Sequence, residues 1–134
     1  MSLNSRLANA QAATAATAVT GAPGATLTGT ALSLLQVEAG TTVVAKFTMS
    51  VKTSSVVLTP SLEVSYDGTN YDTIQTGTAT AAGNGGAVVT KGLLKEVAPP
   101  YRWIRGKVTV SGTTGTADDT AAIEWNFARD TGRG

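Results

Sequence analysis

The stretch from Pro99 to Gly112, Pro-Pro-Tyr-Arg-Trp-Ile-Arg-Gly-Lys-Val-Thr-Val-Ser-Gly, limits the fold more than any other part of the chain. Proline has no N–H to give a ladder, so the two prolines mark where a strand begins. Beyond them Ile104, Gly106, Val108 and Val110 fall on one side of a period of two, and Trp103, Arg105, Lys107 and Thr109 on the other. One face suits a core. The other carries a large aromatic among cations, the kind of surface that binds something or covers a neighbour.

The same period recurs along the chain. From Thr42 to Lys52, Val43, Ala45, Phe47, Met49 and Val51 alternate with Val44, Lys46, Thr48 and Ser50, which predicts a half-buried strand. Val56, Leu58, Pro60, Leu62 and Val64 share the next face, with Pro60 predicting an edge position or a bulge. Asp67-Gly68 between alternating runs predicts a hairpin, and Gly77 to Gly86 reads as a flexible loop. Val88 to Val97 alternates more weakly, with Val89, Leu93 and Val97 sharing a face with Lys91 and Lys95. A polar loop from Ser111 to Thr120 then leads to a last strand with Ile123, Trp125 and Phe127 inward. About seven or eight short strands without crossover helices predict an all-β antiparallel sandwich or jelly roll.

Three regions follow: an Ala/Thr-rich arm over 1–29, a sandwich over 30–129 and a polar tail over 130–134. Alanine and threonine methyls bury too little surface to offset chain entropy, so the arm is not expected to order itself. It is open to three states: a frayed tail, a helix over Ser5 to Ala18 formed on contact, or an extended arm on a partner. Leu3, Leu7, Val19 and Leu27 are spaced along it so that they could lie against such a partner.

The absence of both cysteine and histidine removes thiolate nucleophiles, disulfides, Cys/His metal sites and the commonest general base near neutral pH. No enzyme activity and no cofactor are expected. Asp67, Asn70 and Asp72 read as turn formers, because a Ca²⁺ site needs six to eight oxygen ligands. Gly83-Asn84-Gly85-Gly86 has no following Lys-Ser/Thr and is a loop, not a phosphate cradle. Ten basic and nine acidic residues leave a net charge of +1, too little to recruit nucleic acid or an anionic membrane by field alone. Arg102, Arg105 and Lys107 beside Tyr101 and Trp103 therefore read as a protein interface, as partners of Glu63 or Glu124 across strands, or as a solvated face. No stretch reaches the roughly 20 apolar residues that span a bilayer, and the amino end does not resemble a secretory signal.

The hairpin Leu62-Glu63-Val64-Ser65-Tyr66-Asp67-Gly68-Thr69-Asn70-Tyr71, with Pro100 to Gly112 about 30 residues later, resembles small structural proteins of tailed bacteriophages, in particular capsid decoration (cement) proteins. The similar part runs from Thr41 to Phe127. The resemblance implies a sandwich made in the host cytoplasm that binds the major capsid protein on the outside of an icosahedral shell. It implies a homo-oligomer, commonly a trimer, that stabilises the shell by protein contacts and carries no catalytic motif. The residues expected at interfaces are Leu3, Leu7, Val19 and Leu27 of the arm and Tyr101, Trp103, Arg105 and Lys107 of the strand. Two rival readings are a carbohydrate- or receptor-binding module of a tail fibre, with Tyr66, Tyr71 and Trp103 around a groove, and a tail-tube or adaptor subunit.

Overall fold

The period-two runs become strands in the computed structural model, which describes residues 13–34, 41–83, 85–86, 88–96 and 101–129, with the backbone alone at 41, 89–91, 93–96 and 127–129. The strands are β1 (Thr14–Ala18), β2 (Thr26–Thr28), β3 (Leu32–Ser33), β4 (Thr41–Ser50), β5 (Val57–Ser65), β6 (Asp72–Thr76), β7 (Val88–Glu96), β8 (Trp103–Ser111) and β9 (Thr120–Arg129). One sheet has the order β1-β9-β4-β7 and the other β2-β8-β5-β6, and all described pairings are antiparallel. β3 also pairs with β8, further along the side that β2 occupies, so β2 and β3 make one interrupted edge. With those two taken together, successive strands switch sheets at every connection except the β5–β6 hairpin. That order is a jelly roll, as the alternation predicted.

The inward positions are those expected. Val43, Ala45, Phe47, Met49 and Val51 meet Leu58, Leu62, Val64, Ile104, Val108 and Val110 between the sheets, and all are buried. Within the first sheet Trp125 lies opposite Ala45 and Ile123 opposite Phe47, so the largest ring faces the smallest side chain. Gly106 lies against side chains of the opposite sheet. A β-carbon there would lie 2.9 Å from Ile123 Cδ1 and 3.0 Å from Phe47 Cζ, which only a bare α-carbon avoids.

Pro60 is not on an edge strand, because β5 lies between β8 and β6. Its carbonyl accepts from Gly77 N at 2.8 Å, on the side where β6 has just ended, so the missing N–H faces no ladder partner. Residues 77–83 are likewise no free loop. They continue past β6 alongside β5, with Thr80 N donating to Leu58 O, Leu58 N donating to Thr80 Oγ1, and Gly83 N donating to Val56 O. Thr80 is buried there.

The largest departure from expectation concerns the amino-terminal segment. Residues 14–28 are edge strands of both sheets, β1 on β9 and β2 on β8. Between them the chain crosses from one sheet to the other: Val19 N donates to Asp119 O, Gly21 bridges to Gly115, and Gly24 N donates to Val110 O. A boundary at residue 29 thus divides no structural unit within the described residues. Backbone pairing orders a segment whose side chains are too small to signal it. Asp119, whose main-chain oxygen receives Val19, also carries a buried carboxylate: Oδ1 accepts from Lys52 N at 2.9 Å and Thr53 N at 3.0 Å, and Oδ2 accepts from Thr116 N at 2.9 Å. Leu3, Leu7 and the tail 130–134 lie outside the described residues, as do the side chains of Leu93 and Phe127.

Candidate protein-interaction face

Alternation along β8 leaves Trp103, Arg105, Lys107 and Thr109 on the outer face of the second sheet, each half-buried, between the buried Ile104, Gly106, Val108 and Val110. The β5–β8 register then decides what they meet. Ser65 lies opposite Trp103, Glu63 opposite Arg105, and Ser61 opposite Lys107. Glu63 Oε1 accepts from Arg105 Nε at 2.9 Å and its Oε2 from Lys107 Nζ at 3.0 Å. The Glu63 side chain is 8% exposed, against 26% for Arg105 and 22% for Lys107. Burial by itself pushes the Glu63 carboxyl up, but the hydrogen bonds from the two cations outweigh it and hold the group below the usual range.

Further contacts fix the cations. The Arg105 guanidinium lies 3.7 Å from the centre of the Tyr71 ring, a cation-π contact, and Lys107 Nζ donates to Thr73 Oγ1 at 3.4 Å. Ser61 Oγ, on the same outer face by alternation, is buried and has no hydrogen-bond partner among the described residues.

The β5–β6 turn closes one end of this face. Ser65 Oγ donates to Asp67 Oδ1 and accepts from Gly68 N, while Asp67 Oδ1 accepts from Thr69 N and Asn70 N, both at 2.8 Å. Asn70 Nδ2 donates to Asp67 Oδ2, so both carboxylate oxygens serve the turn. These bonds hold the Asp67 carboxyl far below its ordinary range. Gly68 has a φ of 78°, and a β-carbon on it would lie 3.0 Å from Trp103 Nε1: the indole rests against the turn's bare backbone. Next to it Tyr66 and Tyr101 pack with ring centres 4.6 Å apart. Donating its O–H to Tyr66 pushes the Tyr101 hydroxyl up, and Tyr66 remains 52% exposed.

Of the residues expected at an interface, Trp103, Arg105 and Lys107 share this face, while Tyr101, just before β8, packs with Tyr66 and against the core. Val19 does not join them; at 1% exposure it is core, because the crossing after β1 turns it inward. Leu27 pairs with Val108 and packs against the core from its edge strand. The acid that organises the face, Glu63, was one of two cross-strand candidates in the sequence, and the β5–β8 register selects it. Glu124 lies opposite Lys46 on the other sheet. Thr73 and Ser61 carried no signal of their own, and Tyr71 was expected only beside a carbohydrate groove; the part each plays depends on the register.

No family profile and no curated protein sequence matches this chain. Its structure is similar to a chain in the structure of infectious bursal disease virus Gt strain, with 19% sequence identity and a TM-score of 0.42 over 84% of this chain. The chain spans 30% of that chain's length. A likeness at that score carries no argument here, and the jelly-roll order stands on the strand register itself.

Proposed function

We propose that this chain is a non-enzymatic structural protein of a virion, a decoration protein that docks on the outside of a shell through the outer face of β8. The observation that carries the reading is the order of that face before any partner is present. Arg105 is held by Glu63 and Tyr71, Lys107 by Glu63 and Thr73, and Trp103 lies against Gly68. Long side chains held in one geometry lose little entropy on docking, which suits an interface repeated over many copies. The jelly-roll order supports the reading by analogy of fold, since such sandwiches recur among viral capsid and lectin domains, and the site itself must carry the function. The resemblance of the 62–71 and 100–112 segments to phage cement proteins points the same way, toward a major capsid protein as partner and a trimer as the docking form.

The test is co-sedimentation of the purified protein with undecorated shells of the source virion. Arg105→Ser and Lys107→Ser are combined with Glu63→Gln, so that no carboxylate is left buried without a partner. The triple variant is expected to keep the wild-type thermal transition within a few degrees and to lose most shell occupancy. Full occupancy by the folded variant would sink the proposal. The exposed Tyr66 ring beside Tyr101 favours one second reading, a carbohydrate-binding module, and binding on a glycan array that Tyr66→Ala abolishes would establish it in place of the first.

A further inference from the structure

We propose that the outer face of the five-stranded sheet receives a carboxylate of a partner protein, an Asp or Glu side chain, at Arg105 and Lys107 with Ser61 beside them. The inference rests on the reading of this face as a docking surface and adds the chemistry of what docks.

The face has more donors than acceptors. A guanidinium offers five N–H groups, of which Nε is used on Glu63, and an ammonium offers three, of which two are used on Glu63 and Thr73. Among the described residues nothing accepts from Arg105 Nη1 or Nη2. Two cations against one carboxylate leave one positive charge on the cluster. Both oxygens of Glu63 are already engaged.

Ser61 supplies an independent observation. Its residue is 4% exposed, its Oγ is the buried side-chain polar atom without a partner among the described residues, and it lies opposite Lys107 and two positions from Glu63 on the same face. Buried hydroxyls are almost always paired, so one left open beside surplus cationic donors marks the place of a missing acceptor. A carboxylate supplies two acceptor oxygens for the Arg105 fork, for Lys107 and for the Ser61 O–H together. Arg105, seated over Tyr71, is already oriented for it. Nucleic acid fits less well, since one residual charge does not track a row of phosphates.

The experiment follows the ¹⁵N signals of Arg105 Nε and the Ser61 amide in the full chain, titrated with hexaglutamate, and with inorganic phosphate and a single-stranded oligonucleotide for comparison. Hexaglutamate is expected to move both signals, and the other anions to move them far less. Glu63→Gln frees two cationic donors and is expected to tighten hexaglutamate binding about fivefold. A merely structural ion cluster gives no gain or a loss. Ser61→Ala is expected to raise the free protein's Tm, by about 4 °C, while weakening hexaglutamate binding. Unmoved signals, a stronger response to the oligonucleotide, or weaker binding by Glu63→Gln each overturn the inference. The peptide needs no shell, so the two readings fail separately. A dead peptide titration with shell binding still dependent on this face removes only the carboxylate, whereas a live titration with shell binding indifferent to the face removes the decoration role.

Discussion

Four donors converge on the carboxylate of Asp119, from Lys52 N, Thr53 N, Thr116 N and Thr116 Oγ1. Burial alone pushes this carboxyl up; the bonds from Thr53, Thr116 and Lys52 reverse that and hold it at about 2, against an ordinary 3.8. Since the folded value lies below the unfolded one, the group adds stability above 3.8 and loses it as the pH falls toward about 2. Over that window the loss is on the order of 2 kcal/mol, and Asp119→Asn should flatten the corresponding part of the curve of denaturant midpoint against pH. Glu63 and Asp67 are held below their ordinary values as well, so the difference between wild type and variant is the quantity to read. Asp119→Ala strands the same donors in a buried place and should cost about 3 kcal/mol at neutral pH, measured by urea unfolding. Gly106 makes a different demand, for space. Gly106→Ala sets a methyl against Ile123 and Phe47 and should cost about 1 to 3 kcal/mol; an unchanged melting temperature would mean that the sheets can part there without penalty.

At the scale of elements, β1 covers one edge of β9 and places Val19 in the core. Removing residues 1–20 should therefore lower the stability by roughly 3 kcal/mol, read from urea unfolding, and leave β9 with an open edge that promotes association, visible by light scattering. A truncated protein as stable and as monodisperse as the intact chain would return this segment to the status of an arm. Its strands were hidden because Thr-Ala-Ala-Thr-Ala carries no contrast between large apolar and polar side chains, the signal on which alternation depends. β4, β5, β8 and β9 were legible because that contrast is strong in them, and the cation-bearing face of β8 came with it. Partners were not legible wherever they rest on register or on long-range pairing. Glu63 could be matched to Arg105 only once the β5–β8 offset was known, and Thr80 and Asp119 bind backbone that is distant in sequence. The Asp-Gly turn was plain, and its effect on Trp103 was not.

For the molecule as a whole, the order in which the chain is made differs from the order in which it is joined. β9, the last of the described strands, sits inside its sheet between β1, the first of them, and β4. Thr14 pairs with Ile123 and Ala45 with Trp125, so the first sheet lacks its middle until β9 emerges. During synthesis β4 can hold β7 on one side while its other edge, the row that ends against β9, stays open. Loop closure over such separations delays folding, which should proceed in milliseconds to seconds after dilution from denaturant. A ribosome-stalled chain ending before Thr120 should remain protease-sensitive throughout, and become resistant only when β9 clears the exit tunnel. Any chaperone that meets this protein before β9 emerges therefore meets it with an open β-edge, and β9 closes that edge when it settles between β1 and β4.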